Sequence, residues 1–431
     1  MKKQYLFLVF SLLFWHFTLS KVSGQGVLDI ISKAPSYASC NYHIYPDSIS
    51  SKQTPAPKGK KPFYISHYGR HGSRYISNRS GYDTPYIMIL HADSLNELTP
   101  IGQKVLQEMK SIMDDTEGRW GELTGYGKRQ IQDIGRRMAE SYPEIFCPGA
   151  NVRAISTIVP RCIESMGAAA MEMLQVCPEL NIKMEASQRT QWYLNYQDLN
   201  LRRNYMTPET RKAFDAFIKP HMGNSRLMET IFKNPDIVKE FVDEGDFNYY
   251  MMKMALFQYN ISYNRNAHLI EVFHTDEFYQ MWQIDNALWY IQHGACKLNG
   301  GHQPYSQRYL LKQLISDADS CIALENPGAQ LRFGHETVLL PLVCLIGVNG
   351  YDLATDNLDE LEAKGWWCSS IFPMGSNLQF IFYRSSPKDK DVLFKVLLNE
   401  TEATLPLSTD CAPYYHWKDF RQFCLDKLAA Y

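Results

Sequence analysis

YISHYGRHGSRY, residues 64–75, sets Arg70, His71, Gly72 and Arg74 within five positions, directly after an apolar run. Cations this close repel one another unless an anion joins them, and a phosphoryl dianion suits the arginine fork. PFYIS, residues 62–66, reads as a short buried strand. The cationic cluster then lies just past the carboxyl end of a strand, where open α/β sheets bind ligands.

Two later stretches repeat that arrangement. VRAIST, residues 152–157, reads as a strand, and PRCIESMGAAAMEML, residues 160–174, reads as a helix with Arg161 in its first turn. A cation there opposes the helix dipole, a misfit that an anion would relieve. AQLRF, residues 329–333, is a third strand, and HETVLLPLVCLIGV, residues 335–348, follows as a helix despite Pro341. His335 and Glu336 open that helix and could also merely cap it. If the three strands are neighbours, Arg70, His71, Arg74, Arg161 and His335 converge in one basin. Helix N-termini add unpaired N–H groups to it.

The remaining pattern places this basin in a two-part chain. Thr99 with Pro100, and Thr124, read as helix N-caps. Ile101, Val105, Met109 and Ile112 form one inward stripe; Ile131, Ile134 and Met138 form another. Residues 186–290 are rich in Tyr, Met and Asn without strand alternation. TPETRKAFDAFI, residues 207–218, and NYYMMKMALFQY, residues 248–259, read as helices, with the Met and Tyr cluster serving packing. NLQFIFYR, residues 377–384, and DVLFKVLL, residues 391–398, alternate as an antiparallel pair. The expected organisation is a leader (1–24), an α/β domain in two parts (25–185 and 291–431) and an inserted mostly helical domain (186–290). The sheet is expected to be mixed, mainly parallel and flanked by helices.

The 431 residues are 45% hydrophobic and 21% charged, with a formal net charge of −2, so no global basic field argues for nucleic acid. Lys2 and Lys3 before the apolar run 5–19 read as an export signal, too short for a comfortable membrane span. No later stretch is long and apolar enough to span a bilayer, so a secreted or periplasmic protein is expected. Ten cysteines then permit disulfides. Cys411 with Cys424 is the first expectation, ahead of Cys296 with Cys321 and Cys147 with Cys177. Cys162 and Cys344 read as free core thiols. No zinc spacing and no acidic metal cluster is visible, so neither metal nor cofactor is expected. The sequons at Asn78, Asn260 and Asn399 matter only in a host that glycosylates exported proteins.

GRHGSRY resembles the signature of the histidine acid phosphatases, branch 2 of the histidine phosphatase superfamily. ISTIVPRCIESMGAAA, residues 155–170, resembles the family's Ser-Thr-x-x-x-Arg segment. LRFGHETVLLPLVCLIG, residues 331–347, resembles its C-terminal His-Asp or His-Ala-Glu region. The runs FGHETVLLPL and SNLQFIFYR…VLLNE look most like the multiple inositol polyphosphate phosphatases, a phytase group. The resemblance spans residue 35 onward and is weakest in the helical insert. It implies that His71 attacks phosphorus to form a phosphohistidine, while Arg70, Arg74, Arg161 and His335 hold the phosphoryl oxygens. Glu336 stands directly after His335, where the family has Asp, and is one methylene longer; the resemblance makes it the general acid.

The expected partners are small phosphate esters, inositol phosphates first, bound by a monomer. Phytate is so anionic that extra cations should line its cleft; Lys183, Arg189, Arg202 and Arg203 are candidates by position only. The rival readings are a broad acid or sugar phosphatase, a phosphomutase, and a non-catalytic binder of phosphorylated ligands.

Overall fold

The strand expected at residues 62–66 is twice as long as the pattern suggested. In the computed structural model, which describes residues 26–49, 52–222, 225–261 and 268–431, β1 spans Lys61–Arg70. It therefore delivers Arg70 as its last residue and His71 as the first residue beyond it. The expected leader at 1–24 lies outside the described residues.

β1 is central in one mixed sheet. Along the chain follow β2 (Asn151–Ser156), β3 (Asn181–Ala186), β4 (Gly328–Gly334), β5 (Asn377–Arg384), β6 (Leu393–Leu398), β7 (Thr401–Ala403) and β8 (Tyr415–His416). The order is β3-β2-β4-β1-β5-β6-β7, with β8 beside β6. β3, β2, β4 and β1 run parallel, and β5 and β6 continue the sheet antiparallel. Residues 156, 334 and 70 thus lie at one edge: Arg70 is in register with Gly334, and Ser156 with Phe333.

Alternation along the central strands feeds two separate cores. Tyr64, Tyr68, Leu378, Phe380, Phe382, Phe394 and Val396 face one apolar cluster, which continues into the helices. Ile65, Ile381, Tyr383, Leu393 and Leu397 face the other, built with Ile131, Ile134 and Met138. β5 and β6 are consequently buried along their whole length, on both faces. Helices on both sides of a sheet require this.

Both expected caps form: Gly102 N donates to Thr99 Oγ1 at 3.0 Å, and Gly127 N to Thr124 Oγ1 at 3.0 Å. Each satisfies one orphan N–H at a helix start. The first stripe differs at one position. Val105, Met109 and Ile112 are buried, but Ile101 is 47% exposed, and Leu106 takes the inward place. Between β3 and β4 the described residues carry helices, the longest being Thr275–His293. Met251, Met252 and Met254 there are buried packing residues.

The disulfide expectations are overturned. The bond present joins Cys40 to Cys368, 328 residues apart with Cα atoms 5.6 Å apart. Cys411 and Cys424 are free, as are Cys296, Cys321, Cys147 and Cys177. Cys424 points into the core from the helix Trp417–Ala429, whereas the Cys411 thiol turns back on its own loop, 3.5 Å from Tyr414 O. Cys321 accepts from Gln330 Nε2 at 3.3 Å. Cys162 and Cys344 are buried free thiols, as expected. Among the described residues no helix is long and apolar enough to cross a membrane.

Candidate active site

The loop after β1 is shaped by glycine. A Cβ on Gly72 would meet Gly127 O at 2.2 Å, and one on Gly127 would meet Ser73 O at 2.0 Å. Two hydrogen-only residues let the loop lie against the first turn of the helix Gly125–Ser141. Hydrogen bonds then fix it: Ser73 N donates to Gln130 Oε1 at 2.9 Å, and Thr124 Oγ1 donates to Ser73 O at 3.1 Å.

This loop holds His71 fully buried and in one tautomer. His71 N donates to Gly334 O at 3.0 Å, and Gly375 N donates to His71 O at 2.9 Å. Its Nδ1 lies 2.8 Å from Gly72 O. A carbonyl oxygen can only accept, so Nδ1 carries the proton and Nε2 offers its lone pair. Burial, then Arg70, hold His71 well below the ordinary imidazole value; Arg161 and Arg74 add to this and Glu336 opposes it. Burial is the larger cause, ahead of the arginines.

The three arginines are each tethered on one side and open on the other. Arg70 Nη1 donates to Phe372 O at 2.7 Å; Nη2 donates to Asn41 O at 2.8 Å and Asn41 Oδ1 at 2.5 Å. Asn41 follows Cys40, and Phe372 is four residues past Cys368, so the disulfide braces both carbonyls that aim Arg70. Arg74 Nη1 donates to Tyr42 Oη at 2.9 Å and Tyr75 O at 3.0 Å, with its guanidinium 5.0 Å from the Tyr42 ring centre. Arg161 Nη1 donates to Gly121 O at 3.3 Å. Among the described residues the Nε atoms of all three, with His71 Nε2 and Glu336 Oε2, are buried without a well-aligned hydrogen bond.

His335 stands across from His71, with ring centres 5.7 Å apart. Its Nε2 is 3.3 Å from Thr157 Oγ1, and burial pushes its pKa down to about 4. Glu336 is the first residue of the helix Glu336–Ile346. Its Oε2 lies 3.1 Å from Arg70 Nε and 3.7 Å from His71 Nε2. Burial would raise the Glu336 carboxyl, but Arg70, His71, Arg74 and His335 override it and hold it well below the carboxylate range. The structure thus brings all six sequence-identified residues together. His71, His335 and Glu336 put one ligand atom each within 4.8 Å of one another, a spacing a metal could bridge. Three guanidiniums around them favour an anion over a cation.

A cavity of about 560 Å³ adjoins this cluster at Thr337. It is lined by Tyr196, Gln197, Arg202, Trp289 and His293, among others. His293, on the last turn of Thr275–His293, stacks on Trp289 at 5.2 Å. Its pKa is lowered to about 4, first by burial, with Glu336 raising and Arg202 lowering it. Of the four cations named by position, Arg202 lines the cavity. Lys183 sits exposed on edge strand β3, and Arg189 and Arg203 are also exposed. Asn41, Tyr42, Gly121, Phe372 and His293 were not foreseen: the first two end the short helix Pro35–Tyr42, Gly121 and Phe372 lie in turns, and Asn41, Gly121 and Phe372 act at least in part through backbone carbonyls, which leave no trace in side-chain identity.

The buried neutral histidines predict an acid-sensitive fold. His43 and His335 are lowered to about 4 and His67 to about 3, chiefly by burial, and His293 likewise to about 4. Their folded values lie below the unfolded one, so between them the unfolded chain binds more protons. Stability is full above about pH 6.5 and falls as pH drops toward 4. His416 works oppositely: Asp410 raises its pKa, so its contribution is lost as pH rises. A melting-temperature series should show a steep fall from pH 6.5 to 4; a flat series contradicts the burial of neutral imidazoles.

The sequence profile of the histidine phosphatase superfamily (branch 2) matches residues 69–399. No curated protein sequence matches. Among solved structures, the multiple inositol polyphosphate phosphatase of Bifidobacterium longum, complexed with inositol hexasulfate, is similar at 16% identity and a TM-score of 0.75, covering 90% of this chain and 97% of that one. The phytase of D. castellii is similar at 13% identity and a TM-score of 0.67, covering 91% and 85%. These likenesses show a shared fold, and the profile spans the whole stretch from the loop after β1 to the end of β6. The chain is a member of branch 2 of the histidine phosphatase superfamily.

Proposed function

We propose that this protein is an exported phosphomonoesterase that hydrolyses inositol polyphosphates through a phosphohistidine. One observation supports the reading: among the described residues the Nε atoms of Arg70, Arg74 and Arg161 and His71 Nε2 are buried without a well-aligned hydrogen bond, and all three guanidiniums lie close enough to act on the His71 ring. Unmade hydrogen bonds in a buried site are costly, and a phosphoryl group supplies the missing acceptors.

The reaction would run in two steps. His71 Nε2 forms a bond to phosphorus as the ester P–O bond breaks, and Glu336 gives the departing oxygen its proton. Water then attacks phosphorus, Glu336 takes its proton, and the N–P bond breaks to release phosphate. Splitting hydrolysis in this way replaces one hard step by two easier ones. Arg70, Arg74 and Arg161 stabilise the charge on the transferring group. Glu336 is ionised in the free protein, so it must gain its proton on the bound ester. The ester's own charge offsets the arginine field that keeps the carboxyl low.

The helical segment 186–290 would roof the site and supply its specificity. Arg202 and His293 on the cavity wall suit an anionic polyol. The amides and rings beside them also suit a neutral sugar ring, which keeps a sugar phosphatase as the second reading. Phosphate release from phytate, hexose phosphates and a nitrophenyl ester separates the two. The proposal expects phytate to give the highest kcat/KM. Negligible phytate turnover beside good sugar phosphate turnover would sink it.

A further inference from the structure

The basin holds an anion of the chain's own. Glu336 Oε2 contacts Arg70 Nε at 3.1 Å and His71 Nε2 at 3.7 Å, the two atoms an arriving phosphoryl group would need first. The carboxylate lies where those buried, unpartnered atoms meet, and its own Oε2 also has no well-aligned hydrogen bond. Contact without good hydrogen-bond alignment marks an imperfect ligand, one that a tetrahedral oxyanion can outcompete.

Chain geometry explains how the carboxylate gets there. Glu336 directly follows His335, at the first position of a helix that starts just beyond β4. An aspartate at this position would end about 1.5 Å sooner, one carbon–carbon bond. The extra methylene carries the carboxylate back over the strand ends to Arg70. Nothing else among the described residues pairs with Arg70 Nε: its other nitrogens are taken by Phe372 and Asn41.

We propose that Glu336 is the internal ligand of the basin at rest, and that a substrate binds only by displacing it. This rests on the phosphate-basin reading above. Displacement sets a threshold: a doubly charged tetrahedral oxyanion gains bonds to three arginines and clears it, whereas a singly charged planar anion offers only what Glu336 already provides. The apparent affinity is lowered by the fraction of molecules in which the carboxylate has swung out. Once displaced toward the cavity at Thr337, the same carboxylate stands on the leaving-group side, where its proton is needed.

The test is calorimetric titration of inorganic phosphate, and of formate as a planar monoanion, into the full-length protein and two variants. Glu336→Gln keeps the shape and removes the charge; Glu336→Asp keeps the charge and removes the reach. Displacement predicts that both variants bind phosphate more tightly, by about tenfold, and that both bind formate where the parent does not. Tightening by Gln alone would mean simple charge repulsion and overturn the proposal, as would equal affinity in all three proteins. No phosphate binding by any of them would overturn the basin reading itself. If Glu336→Gln fails to fold, Glu336→Asp decides alone.

Discussion

Replacing His71 by alanine is expected to lower phosphate-ester turnover by about 10⁴-fold or more, the scale seen when a nucleophile is removed from residues that act as a unit. The expectation follows from tautomer and charge together. Gly72 O fixes the ring proton on Nδ1, and burial beside Arg70 keeps Nε2 unprotonated, so this nitrogen is ready to attack at mildly acid pH. The variant should still bind phosphate, because the arginines keep their tethers to Phe372, Asn41, Tyr42 and Gly121. Steady-state kinetics with phosphate-binding calorimetry would read both. Turnover within tenfold of the parent would mean that water attacks directly and that His71 is not the nucleophile.

Arg70→Ala should lose function and stability at once. Its Nε is aimed into the basin, and removing one preorganised charge-stabilising donor costs about 10²–10³ in rate. The same change strands two buried carbonyls and leaves the Glu336 carboxylate buried without its nearest counter-charge. Breaking a buried ion pair from one side costs about 3–5 kcal/mol. Arg161→Ala is the contrast: among the described residues its guanidinium is tied by one long bond to Gly121 O, so the rate should fall with little change in melting temperature. Comparing kcat/KM and melting temperature for the pair checks this. An Arg70 variant as stable as the Arg161 variant would contradict the bracing role of the Cys40–Cys368 region.

The legible part of the fold was the part written as strand, turn, helix. β1, β2 and β4 end in Arg70, Ser156 and Gly334, and each precedes a site residue by one to five positions. An apolar run followed by a charged turn and an amphipathic helix is a strong local signal. β3 escaped notice because NIKMEA is an edge strand with no fully buried residue, so it lacks the apolar signature. β7 and β8, of three and two residues, are too short to carry a period. The disulfide escaped because sequence proximity favoured Cys411 with Cys424, while the bonded pair, 328 residues apart, is brought together only by the tertiary fold.

Six residues of the site were legible, and what positions them was not. Arg70 depends on Asn41 and Phe372, which lie at opposite ends of the chain and act largely through carbonyls. Arg74 depends on Tyr42, the residue after Asn41. The sequence could show that Glu336 stands in an aspartate's place. Only the structure shows where the longer side chain ends: its carboxylate lies 3.1 Å from Arg70 Nε and 3.7 Å from His71 Nε2.

The central claim is a covalent bond between phosphorus and His71. Its most direct test is to mix the protein with phosphate ester, quench within milliseconds in alkaline detergent, which preserves phosphohistidine, and map the modified peptide by mass. The mechanism predicts one phosphoryl group on His71 Nε2 during turnover, absent from His71→Ala. Sustained turnover with no modified histidine, or with phosphate on any other residue, would contradict it.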